Sequence, residues 1–185
     1  MSTATHKKLL TAEEFFLLPD PGDSSQQELV RGEVITMPPP GGLHGVTCSK
    51  ADRKLGNFID SGPGGTLVCN DTGFITERAP DSVRGPDISY WTKERLKEVP
   101  VGYIEIAPDM VVEVLSPSNT SKKIRTKIKE YFARGVRLVW VIAPEDRTLM
   151  IYRVPDEGRV LHETGTVTGE DVLPGFSCRV SDLLP

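Results

Sequence analysis

The 185-residue sequence predicts an α/β fold, a mixed central β-sheet flanked by helices, and three observations carry that reading. Two continuous apolar runs, residues 110–115 and 136–142, suit strands buried on both faces. Residues 121–134 between them have helical spacing, which makes a strand–helix–strand unit with an expected right-handed crossover. Residues 148–153 and 159–162 then read as a closing hairpin around Pro155-Asp156-Glu157-Gly158.

The elements follow in chain order. Residues 1–10 are expected to form a flexible N-terminal tail, and residues 11–185 a single domain. Thr11-Ala12-Glu13-Glu14 is a capping box, with Leu10 and Phe15 placed to close a hydrophobic staple. Pro19 and Asp20-Pro21-Gly22-Asp23 stop that helix early. Residues 28–37 read as two short strands around Arg31-Gly32, followed by a Pro38-Pro39-Pro40-Gly41-Gly42 loop. The spacing of Val46, Leu55, Phe58 and Ile59 predicts a helix from His44 to about Asp60. Residues 66–69, 73–76 and 87–91 look like strands, and Gly135 is placed to end the helix of residues 121–134 at its C′ position. There is no internal repeat and no low-complexity segment.

Composition excludes several classes. With 38% apolar and 26% charged residues, the chain reads as an ordinary soluble protein. No stretch approaches a membrane span, and the start lacks the apolar core of a signal peptide. Cys48, Cys69 and Cys178 are odd in number and scattered, so a reducing cytoplasm is expected rather than a disulfide framework. The absence of a CxxC pair, with only His6, His44 and His162, argues against a structural zinc site. A net charge of −4 disfavours a broad nucleic-acid surface, so any DNA contact needs a local basic patch.

The chemistry concentrates in three residues. Asp87 closes Gly85-Pro86-Asp87, Glu113 stands in the apolar run Met110-Val111-Val112-Glu113-Val114-Leu115, and Lys127 lies on the next helix. Phosphodiester hydrolysis needs a nucleophilic water and charge stabilisation at phosphorus and the leaving oxygen. A hard cation such as Mg²⁺ supplies much of this and prefers carboxylate, carbonyl and water oxygens. Asp87 and Glu113 are suitable ligands, and the Val114 carbonyl could add a third oxygen. At roughly 100° per residue, Ile124, Ile128, Tyr131 and Phe132 form the stripe that packs on the sheet. Lys127 falls at its edge and can bring its ammonium toward Glu113, with Lys123 in reserve. On residue types alone, a structural Glu113–Lys127 ion pair is the commoner outcome for such a pattern.

The ordered set Glu28-Leu29-Val30-Arg31-Gly32-Glu33, His44-Gly45, Arg84-Gly85-Pro86-Asp87, Pro108-Asp109 through Ser116-Pro117-Ser118, Lys127 to Tyr131, Gly135-Val136, Trp140-Val141 and Leu173-Pro174-Gly175-Phe176 resembles the Uma-type restriction endonuclease family. That family is a branch of the PD-(D/E)XK nuclease superfamily, formerly catalogued as a domain of unknown function. The resemblance covers most of the chain from Thr11 to Leu184. It implies a restriction-endonuclease-like fold and a Mg²⁺-dependent endonuclease, with Mn²⁺ as a substitute and DNA as substrate. Pro86-Asp87 would be the PD element and Glu113 the acid of the (D/E)XK element. Leu115 stands where that pattern expects lysine, so Lys127 would be a relocated substitute. Glu28 would be either a further acid at the metal or a charged strand end. Cutting both strands would suit a homodimer. Two rival classes stay open: a catalytically idle binding or regulatory module, and a metal-dependent hydrolase of a small phosphorylated substrate.

Other residues carry weaker signals. His44 could cap its helix or meet substrate, although a lone histidine is more often structural. Glu33, beyond the turn, is a poorer candidate than Glu28. Gly41-Gly42 lacks the Lys-Ser/Thr of a phosphate loop, and Ser116 lacks a hydrolase elbow. Ser116-Pro117-Ser118 is expected to lead into the helix. Trp91 and Trp140 read as core or interface residues rather than base-stacking platforms. Lys122, Lys123, Arg125, Lys127 and Lys129 could meet a polyanion or simply form a solvated helix face.

Overall fold

In the computed structural model, residues 8–23, 25–116 and 120–185 are described. The first seven residues of the expected tail, and Pro117 and Ser118 of the expected helix-entry loop, lie outside them. Helix α1 (Ala12–Phe16) opens with the Thr11–Glu14 capping box. The Leu10 N–H donates to the Gly32 carbonyl at 2.9 Å, which ties the approach to α1 onto the following hairpin. Strands β1 (Gln26–Val30) and β2 (Glu33–Met37) form that hairpin, and α2 (Gly42–Ser61) follows. Next come β3 (Thr66–Cys69), β4 (Phe74–Glu77), β5 (Ser82–Arg84), β6 (Ile88–Trp91) and β7 (Met110–Val114). After α3 (Ser121–Arg134) the chain continues through β8 (Leu138–Ala143), β9 (Thr148–Val154) and β10 (Glu157–His162). It ends with β11 (Thr166–Gly169), β12 (Leu173–Arg179) and a 3₁₀ turn, Val180–Leu183.

The central sheet has six strands in the order β10-β9-β8-β7-β6-β3. Only β7 and β8 pair in parallel, across the α3 connection, so the sheet is mixed as expected. A second sheet runs β2-β1-β5-β4, and β11-β12 form a small ribbon. The strand period of two divides β7 between two layers. Met110, Val112 and Val114 face α2 residues Ala51, Leu55 and Ile59. Val111 faces Ile124, Ile128 and Tyr131 of α3, together with Phe74 of β4. A smaller core of Ala12, Phe15, Leu29, Ile75 and Val83 fastens α1 to the second sheet.

Several local expectations change. The buried face of α2 is Thr47, Ala51, Leu55 and Ile59, whereas Val46 is 48% exposed. Small residues let α2 approach the sheet, and a search for large apolar side chains passes over them. Strands β5, β11 and β12 were not expected. Strand β5 has three residues, too few for a periodic signal, and its pairing with β1 and β4 makes it a strand. Trp91 and Trp140 are fully buried core residues. No described helix is long and apolar enough to cross a membrane.

Thr120 caps α3 by accepting from the Lys123 N–H, and Gly135 ends it with φ +102° and ψ 21°. A Cβ there meets only the Arg95 guanidinium at 3.5 Å, so the penalty for a side chain is conformational. Gly135→Ala should therefore cost about 1 kcal/mol. Thermal unfolding should register that as a melting point about 2–4 °C lower. Gly45→Ala, inside α2 with open space around its Cβ position, should be neutral or slightly stabilising in the same assay.

Candidate active site

The register of the central sheet explains why two acids meet. Ile88 pairs with Val112 and Ser89 with Val111, so one further step brings Asp87 opposite Glu113 at the strand ends. Glu113 shares the β7 face of Val111 and Leu115 that looks toward α3. There the Lys127 ammonium lies 3.2 Å from Glu113 Oε1 and 3.0 Å from Glu28 Oε1. Tyr131, one helical turn beyond Lys127, donates its hydroxyl to Glu113 Oε1. Leu115, at the position where a lysine was expected, packs its side chain into the α3-side core.

Glu28 arrives from the second sheet and is 3% exposed, so it is no solvated strand end. Its Oε2 accepts from Arg84 at 2.7 Å, and its Oε1 also accepts from the Gly85 N–H at 3.3 Å. Arg84 in turn makes two hydrogen bonds to Glu130 of α3, at 2.6 and 2.9 Å. This guanidinium fastens the second sheet to the helix carrying Lys127. Asp87 Oδ2 accepts from the Val114 N–H at 2.6 Å, while its Oδ1 lies 3.0 Å from His44 Nε2. His44 sits in the first turn of α2 and makes no cap bond there; its partner is the acid.

All four expected residues, with Val114, line one cavity of about 530 Å³. Asp71 joins them, and sequence reasoning missed it. It follows Asn70, and both have positive φ, at 59° and 55°. An Asn-Asp pair signals a turn, but not that the turn aims a carboxyl at the strand ends. Asp71 accepts from the Gln26 side-chain amide, another residue without a distinguishing signal. At the cavity rim, Lys122, Lys123 and Thr126 of α3 face the Pro38-Pro39-Pro40 loop. Glu33 lies exposed on the far side of its turn and does not line the cavity.

Electrostatics set these groups apart. Burial pushes Glu113 up to about 7, with the Asp87 and Glu28 charges adding to it against the pull of Lys127 and Tyr131. Burial and the Asp87 charge push Asp71 up to about 6. Burial also opposes the charge on Glu28, but Lys127 and Arg84 outweigh it and hold Glu28 below the usual carboxylate range. Burial opposes the Lys127 charge too, yet Glu113 and Glu28 keep it firmly protonated. Desolvation works to neutralise His44, and its bond to Asp87 overcomes this and raises its proton affinity.

Among the described residues the cations paired with these four carboxylates are Lys127, His44 and an Arg84 already divided with Glu130, while Lys122 and Lys123 stand at the rim. The surplus is negative and presented on hard oxygen atoms, the donor set suited to Mg²⁺ or Mn²⁺. Asp87, Glu113 and Val114 line the cavity together with Glu28 and Asp71, and their oxygens are donors of the kind such an ion takes.

A raised carboxyl pKa makes the folded state bind more protons than the unfolded chain, so stability falls as pH rises through that window. For Asp71 the window runs from its ordinary value near 3.8 to about 6. In metal-free buffer, Asp71→Asn should gain about 1 kcal/mol near pH 8 and nothing near pH 4. Melting curves at the two pH values should differ accordingly, by about 2–4 °C at the higher one.

A sequence profile of the Uma2 family, described as "Putative restriction endonuclease", matches residues 12–181. Among solved structures, the chain is similar to a protein described as a putative nuclease belonging to DUF820 from Anabaena variabilis ATCC 29413. The two are 24% identical and superpose with a TM-score of 0.78 over 94% of this chain and 97% of that one, which establishes a shared fold. No curated protein matches the sequence. On the extent of the profile match, the chain belongs to the Uma2 family.

Proposed function

We propose that the protein is a divalent-metal-dependent endonuclease that hydrolyses phosphodiester bonds of DNA, acting in the cytoplasm as a homodimer. The observation that carries this reading is the Lys127 ammonium held between Glu113 and Glu28 in a cavity that Asp87 also lines. The family's description as a "Putative restriction endonuclease" and the relative's as a "putative nuclease" support it.

Asp87 and Glu113, with the Val114 carbonyl, would hold Mg²⁺, and Glu28 would support them. When bound, Mg²⁺ or its substitute Mn²⁺ supplies Lewis acidity at the phosphate and neutralises developing charge. The chain's own groups do the rest. The Val114 N–H and His44 hold the Asp87 carboxylate, and Tyr131 steadies Glu113. Lys127, relieved of part of its pairing once the acids engage a cation, donates hydrogen bonds to the attacking water or to a phosphate oxygen. Stabilising charge in a water-poor cavity is where a fixed ammonium contributes most. Lys122 and Lys123 at the rim meet the flanking phosphates and form the local basic patch that an acidic protein needs.

Supercoiled plasmid incubated with the protein should be nicked or linearised in Mg²⁺ or Mn²⁺, and left intact in EDTA. Asp87→Asn and Glu113→Gln should each slow cleavage by on the order of 10³-fold. Lys127→Gln should cost on the order of 10²–10³-fold, with circular dichroism confirming the fold. Undiminished cleavage by Asp87→Asn would contradict the assignment. Hydrolysis of nucleotides but never plasmid would move it to a small phosphorylated substrate, and no metal binding at all would leave an idle binding module. In DNA binding, Lys123→Ala should weaken all sequences evenly and lower the salt slope by about 1.

A further inference from the structure

Helix α2 brings a different kind of donor to the carboxylates. His44 and Cys48 are four residues apart, so they share one face of the helix, one turn above the other. That face looks at Asp87. His44 Nε2 is 3.0 Å from Asp87 Oδ1 and 3.9 Å from Cys48 Sγ, and the ligand atoms of the three residues all lie within 4.8 Å of one another. One tetrahedral Zn²⁺ with ordinary Zn–N, Zn–O and Zn–S bonds keeps its N, O and S ligand atoms about 3.3–3.7 Å apart. The observed separations bracket that spacing, so small side-chain adjustments close the triangle.

We propose that His44, Cys48 and Asp87 form a second cation site, selective for a thiophilic divalent ion such as Zn²⁺ or Co²⁺ and sharing Asp87 with the carboxylate cavity. One nitrogen, one sulfur and one oxygen donor make a set that hard cations bind poorly and borderline ones bind well. His44 and Asp87 both line the cavity, from which a water or a substrate oxygen can supply the fourth ligand. The supporting bond is already in place: the Val114 N–H holds the other Asp87 oxygen, as bonds to the far side of a ligand commonly do. Burial, with the nearby acids, keeps the Cys48 thiol protonated in the absence of a cation. Binding converts it to thiolate, the proton passing to solvent as the S–metal bond forms. Of the three cysteines only Cys48 brings its sulfur within 4.8 Å of the His44 and Asp87 ligand atoms among the described residues, so neither Cys69 nor Cys178 stands in for it. Because Asp87 is common to both sets, a thiophilic ion seated here competes with a hard ion at the carboxylates. That competition rests on the endonuclease reading, whereas the site itself does not.

The test uses the full chain stripped of metal and titrated with Co²⁺. We expect saturation at one ion per chain, with the near-ultraviolet thiolate-to-cobalt absorption and the intense visible bands of a tetrahedral ion. Added Zn²⁺ should erase the spectrum and Mg²⁺ should not. Cys48→Ser should lose the thiolate band, and His44→Ala should weaken binding at least tenfold, with Cys69→Ser as the unaffected control. X-ray absorption of the wild-type Zn²⁺ complex, which needs no variant to fold, should show one sulfur neighbour at about 2.3 Å. A zinc shell without sulfur, a Co²⁺ thiolate band that survives Cys48→Ser, or no binding would each overturn the proposal. None of these readouts depends on DNA cleavage, so failure here is distinguishable from failure of the endonuclease reading.

Discussion

Too much negative charge in too little space is the constraint on which this structure turns. Glu28, Asp71, Asp87 and Glu113 line one cavity at the strand ends, and Lys127 is the cation shared between two of them. Removing one partner from a buried ion pair commonly costs several kcal/mol, because the remaining charge is left without compensation. Lys127 stands between two acids from different sheets, so it acts as a clamp as well as a charge. Arg84 repeats the arrangement one layer out, between Glu28 and Glu130. Burial, with the negative charge that these cations leave uncompensated adding to it, raises Asp71 and Glu113, and a divalent ion would relieve that charge.

The fold supplies the convergence through ordinary devices. Antiparallel register sets Asp87 beside Glu113, and strand alternation turns Glu113 toward α3. The helical repeat then stacks Lys127 and Tyr131 over Glu113. Helix α2 closes the other side, where its first turns carry His44 and Cys48 against Asp87. Each device serves the hydrophobic core as well. Alternate β7 residues fill two apolar layers, and the α3 face that presents Lys127 buries Ile124 and Ile128.

Much of this was legible in the sequence, for reasons that can be named. Glu113 stood out because its neighbours are Met, Val and Leu, and the α3 stripe located Lys127 without recourse to any relative. The capping box at Thr11 and the stop at Gly135 were readable because their chemistry is local. What stayed hidden depends on tertiary pairing. Strand β5 is too short to show a period, so nothing foretold that Arg84 would bridge two acids. Asp71 lies in a turn, and turn chemistry does not say where the turn points. Tyr131 was placed on the apolar stripe of α3, but its hydroxyl partner, Glu113, belongs to strand β7. His44 looked like a cap or a substrate contact because Asp87 is distant in sequence.

The central claim is that the surplus carboxylates hold a hard divalent cation between Asp87 and Glu113, with Lys127 beside it. Anomalous diffraction from crystals grown with Mn²⁺ addresses it directly. A single manganese peak bonded to Asp87 and Glu113 is the predicted result. A cavity without manganese, with Glu113 still hydrogen-bonded to Lys127 and Tyr131 alone at saturating Mn²⁺, would contradict it.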